Sequence, residues 1–316
     1  MRRVVGLLAL LLLAPACGQT EHHSAGTLTQ PFPAVVSLDS STTFYGPSFV
    51  TPRRGFLGVS VLGAGERVLE TDDGGVTFNV NRRSPSVFGI ERTRAHAWFA
   101  FRRDRVVVSR DGGGTWRVKP GFHLPACTGG VSVVDLRHAF ADQSKNCGSG
   151  SNSGDAWLIR SRDGGRTWAR IPTPRCYRAP FRAFSFVDER VGYLACDEGI
   201  GTSLGPQVVY RTADGGEHWR RVGMNRGGTL NEIEFLDRSH GFMLTARGGI
   251  SITTNGGHSW RLSFADRDKG GVSMNWPDKR NGYAACFHDG LFRTRDGGRT
   301  WRRVFPRPAS RNSTGC

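Results

Sequence analysis

The sequence predicts an all-β protein built from one repeated unit of four short antiparallel strands. An eight-residue turn motif recurs six times in the 316 residues, and a second motif precedes it in each unit, with a Gly-aromatic pair in four units and weaker versions in the other two. The 43 glycines, and the lack of Leu-rich helical composition after residue 16, suit strands joined by tight turns. Four-stranded units that repeat about every 40 residues are typical of the blades of a β-propeller.

The turn motif reads Thr/Ser-x-Asp-Gly-Gly-x-Thr-Trp in its most regular copies, such as "SRDGGRTW" from Ser161. Its third position is, in chain order, Asp73, Asp111, Asp163, Asp214, Asn255 and Asp296. Its last position is Phe78 in the first copy and then Trp116, Trp168, Trp219, Trp260 and Trp301. The carboxylate is expected to accept backbone N–H groups of its own loop, and the glycines to adopt positive φ. Each motif is therefore predicted to be a structural turn between strands 3 and 4.

The second motif opens each unit, as in "SFVTPRRGFLGV" from Ser48 and "SFVDERVGYLAC" from Ser185. It predicts an apolar first strand, a polar turn and a second strand that begins with Gly and Phe or Tyr. Six units between Ser48 and about Val304 predict a six-bladed ring. A seven-bladed ring, with one blade from residues 34–45 and the C-terminal segment, is the alternative. A closed ring is favoured over a linear solenoid because closure hides the sheet edges.

The first 16 residues have the pattern of an export signal. A basic start is followed by the apolar residues 4–13, fewer than the roughly 20 that span a bilayer, and by the small residues 14–16. Cys17 directly follows the expected cleavage point and is predicted to be lipidated, with plain secretion as the alternative. Residues 17–33 are then a flexible tether, residues 34–316 form the propeller, and the protein is expected on the outer side of a bacterial cytoplasmic membrane.

The other six cysteines fit an exported protein. Their number is even, which suits disulfides in an oxidising compartment. The repeat register places all six on one face of the ring, which carries the loops between strands 2 and 3 and the links between blades. The equal spacing of two pairs favours Cys127–Cys147 and Cys176–Cys196, which leaves Cys286–Cys316. Other connectivities stay open, because this choice depends on the register alone.

The chain is strongly basic, with a formal net charge of +16 that is carried mostly by arginine. Such a charge favours anionic partners. The face that carries the cysteines also carries two long Gly/Ser-rich insertions, and variable loops on a rigid scaffold are where binding usually resides. The candidate binding residues there are Arg102, Arg103, Arg178, Arg226, Arg247 and Arg267, with Arg175 and Arg182 assigned to the same face. A solvated cationic surface without a single ligand is the alternative, since the opposite face is rich in arginine too.

The turn motif resembles the Asp box of BNR repeats, whose pattern is Ser/Thr-x-Asp-x-Gly-x-Thr-Trp. With its leading "F-x-D-x-x-x-G-Y" segment, present here as residues 186–193, the longer unit is similar to the photosystem II assembly and stability factor family. More distantly it is similar to the sortilin and sialidase propellers. The resemblance implies the propeller fold and a role in assembling a membrane complex. Asp boxes also occur in sialidases and xyloglucanases, so the motif is specific for the fold and not for the function.

A glycan-processing enzyme of the sialidase type is the competing function class. Members of that family have an Arg-Ile-Pro motif near the start, whereas Arg170-Ile171-Pro172 follows the third turn motif here. Tyr45, Tyr177 and Tyr210 lack an evident Glu partner. The carboxylate clusters outside the turns are Asp197-Glu198 and, on one predicted strand, Glu232 and Glu234. No P-loop, dinucleotide fingerprint, Ser-His-Asp pattern or Cys/His metal spacing is present, so no cofactor or metal is expected.

The sequence therefore predicts a non-catalytic, exported binding scaffold. Its expected partner is a protein or an anionic polymer of the cell envelope, bound on the arginine-rich face. Nucleic acid is not expected, because the chain is predicted to leave the cytoplasm. A monomer is expected, attached to the membrane only through a lipid on Cys17.

Overall fold

The computed structural model describes residues 43–61, 65–80, 89–92, 98–101, 106–111, 115–145, 156–175, 182–197, 205–226, 228–246, 249–265, 272–286 and 289–305. These residues form β-strands joined by turns and loops. The described part of the chain contains no helix that is both long and apolar enough to cross a membrane.

Each group of four consecutive strands forms one antiparallel sheet, with the strands adjacent in chain order. The first twelve strands are β1 Thr43–Phe49, β2 Gly55–Val61, β3 Gly65–Thr71, β4 Asn79–Val80, β5 Gly89–Arg92, β6 Trp98–Phe101, β7 Val106–Ser109, β8 Arg117–Val118, β9 Thr128–Val133, β10 Ala139–Ser144, β11 Ala156–Ser161 and β12 Ala169–Ile171. The others are β13 Arg182–Phe186, β14 Gly192–Asp197, β15 Gln207–Thr212, β16 Arg220–Asn225, β17 Thr229–Phe235, β18 Gly241–Ala246, β19 Gly249–Thr253, β20 Arg261–Phe264, β21 Val272–Asn275, β22 Gly282–Cys286, β23 Gly290–Thr294 and β24 Arg302–Phe305.

The sheets are the blades of one propeller. Consecutive blades contact each other mainly through their first two strands, and β1 contacts β21 and β22, so that blade 1 packs against blade 6 and closes the ring. The predicted all-β propeller of four-stranded blades is confirmed, with six sheets in the described residues. Residues 43–45, considered for a seventh blade, belong to β1 of blade 1. Residues 34–42 and those after residue 305 lie outside the described part of the chain.

A stack of two aromatic rings joins the blades at four junctions. The ring on strand 2 of one blade lies flat against the ring at or just after the end of strand 1 of the next, with centroids 3.4–3.7 Å apart. The pairs are Phe140–Phe186, Tyr193–Phe235, Phe242–Trp276 and, between blades 6 and 1, Tyr283–Phe49. The Trp of the turn motif meets the same ring edge-on, as Trp219 meets Phe186 and Trp260 meets Phe235. At three of these junctions one aromatic ring is thereby enclosed between two others.

The Gly of each Gly-aromatic pair leaves room for this stack. A Cβ atom at Gly192 would lie 2.5 Å from the ring of Phe186, and one at Gly241 would lie 2.6 Å from the ring of Phe235. The corresponding glycines of blades 1 and 6 face their aromatic rings in the same way. Because protein interiors are close-packed, an added methyl group has no space here, and the repeat requires Gly for a steric reason.

The apolar core lies in the interfaces between blades. Leu158 of blade 3 and Leu194 of blade 4 belong to one buried cluster, and Leu57 of blade 1 and Leu291 of blade 6 belong to another. All four side chains are fully buried. Burying a Leu side chain contributes about 1.5–3 kcal/mol. Each blade therefore needs both of its neighbours to cover its apolar faces.

The seam between blades 6 and 1 also carries polar contacts. The backbone N–H of Phe49 donates to Asn275 Oδ1 at 2.8 Å, and Arg293 Nη2 donates to the carbonyl of Pro52 at 2.7 Å. These bonds connect residues more than 220 positions apart in the sequence. Blade 1 takes all four of its strands from the N-terminal side. Within the described residues, side-chain packing therefore closes the ring without a strand shared between the two ends of the chain.

Gly241→Ala is predicted to lower the free energy of unfolding by about 1–3 kcal/mol, because the new methyl group overlaps the Phe235 ring. Denaturant unfolding of the purified protein measures this loss. In a Phe235→Leu background the same Gly241→Ala change should cost clearly less, since the ring that it meets has been replaced. An equal cost in both backgrounds would show that the added methyl group acts on something other than the aromatic stack.

Candidate functional site

In the first turn motif, the Asp73 carboxylate is held by its own loop. Oδ1 accepts the backbone N–H groups of Val76 at 2.9 Å and Thr77 at 3.0 Å, and Oδ2 accepts the Thr77 hydroxyl at 2.6 Å. The Thr71 hydroxyl donates to Asp73 Oδ1 and accepts the N–H of Gly75 at 3.0 Å. The loop is thus closed by local bonds between side chains and backbone, as the sequence predicted.

The other motif copies form the same turn, and the departures from the motif preserve it. In the five copies whose glycines are described, both adopt φ between 70° and 94°. His218, which replaces Thr, has Nδ1 2.8 Å from Asp214 Oδ2. Asn255, which replaces Asp, accepts the N–H of Ser259 at 3.0 Å and donates Nδ2 to the hydroxyl of that residue at 2.8 Å. The motif therefore needs an oxygen acceptor at its third position more than it needs a charge.

The aromatic residue that ends the turn motif joins blades in several copies. Trp168 of blade 3 donates its Nε1 to the carbonyl of His123, in the link that leaves blade 2, at 2.7 Å. Phe78 takes the place of Trp in blade 1, and its ring packs edge-on against Phe305 of blade 6 with centroids 4.7 Å apart. The substitution thus keeps the contact with the preceding blade, although Phe has no N–H to donate.

Hydrogen bonding lowers the pKa of the motif carboxylates. Burial alone would raise the pKa of Asp73, but the bonds from Thr77, Thr71 and Val76 outweigh it and lower the pKa to about 2. The hydrogen bonds within their own turns also lower the pKa values of Asp111, Asp163, Asp214 and Asp296. These carboxylates are ionised and already bonded at neutral pH. They are therefore unsuited to act as general acids.

Hydrogen bonds between turns define two faces of the ring. In blade 4, the N–H of Gly215 in the turn motif donates to the carbonyl of Arg190, in the turn between strands 1 and 2, at 2.7 Å. We call the side that carries these turns the turn face. On the other side, Gln207 Nε2 at the start of strand 3 donates to the carbonyl of Gly228, in the link to blade 5, at 2.8 Å. We call that side the loop face, and the predicted division of loops between the two faces is confirmed.

Three of the six cysteines assigned to the loop face lie in the described residues. Cys127, Cys196 and Cys286 are each disulfide-bonded. Cys147, Cys176 and Cys316, the predicted partners, lie outside the described residues, so the pairing stays a prediction. Bonds at these positions would fasten the ends of loops and links to the rigid blades.

One of the six candidate arginines on the loop face is described. Arg226 follows the end of β16 and its side chain is exposed. The other five lie outside the described residues, as does Cys17; they are Arg102, Arg103, Arg178, Arg247 and Arg267. Arg175, in the link between β12 and β13, is exposed as well.

Arg182 corrects the assignment of cations to the loop face. Its side chain is 2% exposed, and its Nε lies 3.3 Å from Asp142 Oδ2 of the preceding blade. Burial raises the pKa of Asp142, although the neighbouring guanidinium opposes this effect. The pair joins blades 3 and 4 inside the ring and presents no charge to a ligand.

A buried polar group beneath the loop face was not indicated by any sequence motif. Asp197, at the end of β14, accepts the N–H of Leu230 of the next blade at 3.4 Å through Oδ2. Asn225 Nδ2, at the end of β16, donates to Gln207 Oε1 at 3.3 Å. These side chains connect the ends of a 2-to-3 loop with a blade link. Their hydrogen bonds fix the backbone where the loop begins and ends, just as the bonds of the Asp boxes fix the backbone of the turns on the turn face.

The residues considered for a glycosidase lie in separate places in the described part of the chain. Glu232 and Glu234 lie on β17, the first strand of blade 5, and both are partly exposed. Burial raises the pKa of Glu232 to about 7. Tyr210 packs against the buried cluster between blades 3 and 4, and Tyr177 lies outside the described residues. Among the described residues, no hydrogen bond joins a Tyr to either Glu.

The Arg-Ile-Pro motif and possible metal ligands were also considered in the sequence. Arg170 and Ile171 lie in β12, the fourth strand of blade 3, which is the structural position that the sequence predicted for them. Within the described ranges, no group of three or more His, Cys, Asp or Glu side chains is arranged to hold a metal ion.

The C-terminal half of the chain matches a known family. The family model described as "Photosynthesis system II assembly factor YCF48" matches residues 158–272 and, in an overlapping second match, residues 211–310. The resemblance predicted from the turn motif and its leading segment is confirmed. No curated protein matches the chain.

Several solved propellers are similar to the chain at low identity. "YCF48 bound to D1 peptide" is 18% identical over 87% of this chain and 84% of that one, with a TM-score of 0.43. YCF48 from Cyanidioschyzon merolae is 16% identical over 90% and 89%, with a TM-score of 0.45. The GH74 xyloglucanase from Xanthomonas campestris is 13% identical over 88% and 60%, with a TM-score of 0.31. The fold assignment depends on the six sheets of this chain and not on these similarities.

Asp73→Asn is predicted to reduce the acid dependence of stability. The pKa of folded Asp73 is about 2, below the ordinary 3.8, so its ionised form stabilises the fold above about pH 4, and this contribution is lost as the pH falls towards 2. Asn keeps the turn, as Asn255 shows, but cannot ionise. Urea unfolding should show a smaller loss of unfolding free energy between pH 7 and pH 3 in the variant than in the wild type.

The control is Asp72→Asn, which removes the same charge from an exposed neighbour in the same turn. It should retain the wild-type difference between pH 7 and pH 3. If Asp73→Asn also retains the full difference, the hydrogen-bonded carboxylate is not a source of acid sensitivity.

Proposed function

We propose that this chain, whose C-terminal half matches the photosystem II assembly factor family, is a non-catalytic propeller that binds a protein partner on its loop face. The observation that carries the proposal is the different use of the two faces. On the turn face the carboxylates of the motif are engaged by their own turns. The loop face combines long insertions with anchored loop ends, which is the usual arrangement of a binding surface.

The support beneath the loop face suits binding without a large rearrangement. Cys127 and Cys196 are in disulfides next to the loops, and Asp197 and Gln207 bond to the adjacent blade link. A surface whose loop ends are fixed to rigid blades loses less conformational entropy when a partner binds. The exposed Arg226 lies beside this support and contributes positive charge to the surface. We therefore propose an anionic segment of a protein as the ligand.

We also propose a cellular location and an assembly role for this chain. The family description names an assembly factor, and the solved YCF48 complex contains a D1 peptide. For this chain we propose the broader class, a segment of an envelope protein or membrane complex whose assembly the propeller assists. Export through residues 1–16 and attachment through a lipid on Cys17 would place the propeller at the outer surface of the cytoplasmic membrane. An anionic envelope polymer is the alternative ligand.

Replacing Arg178, Arg226 and Arg247 together by Glu is predicted to reduce partner capture at least tenfold. Affinity capture from envelope extract, quantified by mass spectrometry, measures the effect. The reason is that charge reversal on a surface that receives an anionic segment adds repulsion as well as removing attraction.

The matched control replaces Arg117, Arg261 and Arg302 by Glu, because these are exposed arginines on fourth strands and carry the same total charge. This control should capture the partner at the wild-type level, and both variants should have wild-type unfolding midpoints. Equal capture by the loop-face variant and the wild type would contradict the assignment of the binding face.

The competing class, a glycoside hydrolase, has its own test. If the chain is a non-catalytic scaffold as proposed, the purified protein is expected to show no turnover of a panel of chromogenic and natural glycosides. Turnover that is lost in Glu234→Gln, with folding unchanged, would establish the enzyme and contradict the proposal. The Glu232→Gln variant belongs in the same series because burial raises the pKa of Glu232.

A further inference from the structure

The turn face has equivalent positions at each blade junction, and these positions differ in charge. Each junction has one residue from the turn between strands 1 and 2, one from strand 3 and one from the corresponding turn of the next blade. Aligning the repeats gives four described junctions: Arg137, Arg160 and Glu189; Arg190, Arg211 and Arg238; Ser239, Ile252 and Lys279; Arg280, Arg293 and Pro52. Among these four, the junction between blades 4 and 5 has arginine at all three positions.

At each of the other three described junctions, a basic side chain on strand 3 or in the turn between strands 1 and 2 has a hydrogen-bond or ion-pair partner. Arg160 donates to Glu217 Oε1 and to the carbonyl of Gly215, both at 2.8 Å. Arg293 donates to the carbonyl of Pro52 at 2.7 Å, and Lys279 forms an ion pair with Asp237. In these places the cation is part of the contact between blades.

The junction between blades 4 and 5 is different because its arginines line a cleft. The cleft has a volume of ≈ 250 Å³ and is bordered by Arg190, Arg211 and Arg238, together with Val191 and Ala213. Arg190 and Arg238 are exposed, and Arg211 is partly buried beside the Tyr193 hydroxyl. Three guanidinium groups around one small cleft repel each other unless an anion lies among them.

One carboxylate offsets part of this charge. Asp188 Oδ2 lies 3.4 Å from Arg238 Nη2, and no ion pair joins a carboxylate to Arg190 or Arg211 within the described residues. Asp214 keeps its negative charge within its own turn, but it lines the neighbouring cleft together with Arg220, whose positive charge offsets it. The cleft therefore has three positive charges against one negative charge, an excess of about two.

We propose that this turn-face cleft binds a phosphate group. A guanidinium group presents N–H donors in a fork that matches the oxygen atoms of phosphate, and Arg pairs with phosphate in two parallel hydrogen bonds. A phosphate dianion balances the excess charge, whereas a carboxylate leaves one positive charge unbalanced.

A second cleft extends the site and indicates what the phosphate is attached to. This cleft, of ≈ 210 Å³, shares Arg211 and Ala213 with the first and is lined further by Asp214, His218, Trp219 and Arg220. Trp219 is partly exposed and offers an aromatic surface beside the phosphate cleft. The ligand is accordingly a phosphate monoester whose organic part lies along the second cleft. This site is on the turn face and is independent of the loop-face binding proposed above.

Calorimetric titration of the full chain with inorganic phosphate and with phenyl phosphate, at constant ionic strength, tests the proposal. Both dianions should bind, and the aryl ester should bind more tightly because it also covers Trp219. Dimethyl phosphate, a monoanion, and acetate should bind at least tenfold more weakly. Tighter binding of free phosphate than of the ester would remove the second cleft from the site, while absence of phosphate binding would overturn the proposal.

Variants separate a built site from general attraction to a basic protein. Arg190→Gln/Arg238→Gln changes two exposed side chains and should weaken phosphate binding at least tenfold, and adding Arg211→Gln should abolish it. The triple control Arg117→Gln/Arg261→Gln/Arg302→Gln removes equal charge from exposed fourth strands and should bind as the wild type does. Equal weakening in the two triple variants would show non-specific attraction and contradict the site. Partner capture by the cleft variants should be unchanged, so failure of this site and failure of the loop-face proposal are distinguishable.

Discussion

The flat contact between two aromatic rings across a blade junction is the interaction on which the rest of the structure depends. It accounts for the aromatic residue at the end of strand 1, the Gly-aromatic pair of strand 2 and the Trp that closes the turn motif. Since each blade is covered on both sides by its neighbours, a single blade has no stable core of its own. The ring must close, and Phe49 stacked on Tyr283 is the point at which its two ends meet.

The repeat constrains the sequence on the turn face more than on the loop face. Turns 1-to-2 and 3-to-4 bond to each other on the turn face, so their sequence is constrained by the fold. The 2-to-3 loops and blade links meet on the loop face, where the chain varies in length without disturbing a blade. An exception on the turn face is the cleft between blades 4 and 5, where three positions that vary between junctions all hold arginine. The two proposed binding sites therefore lie where the repeat tolerates change in length and where its arginines accumulate.

Local features were predictable from the sequence, and long-range pairs were not. The Asp-box turn was predictable because its bonds lie within seven residues, from Thr71 to Thr77. The division into faces followed from strand order alone. Arg182 was wrongly assigned to the binding surface because charge does not reveal whether a strand residue faces water or the next blade, and its partner Asp142 is 40 positions away. The basic cleft was missed for a similar reason, since its arginines come from different turns and strands and only the ring brings them together.

A crystal structure of the purified full chain would show in its electron density how the seam of the ring is closed. Six blades are expected, with the Tyr283 ring flat against the Phe49 ring and Asn275 bonded to the backbone of Phe49. A seventh sheet inserted between blades 6 and 1, with Tyr283 and Phe49 separated, would contradict this closure.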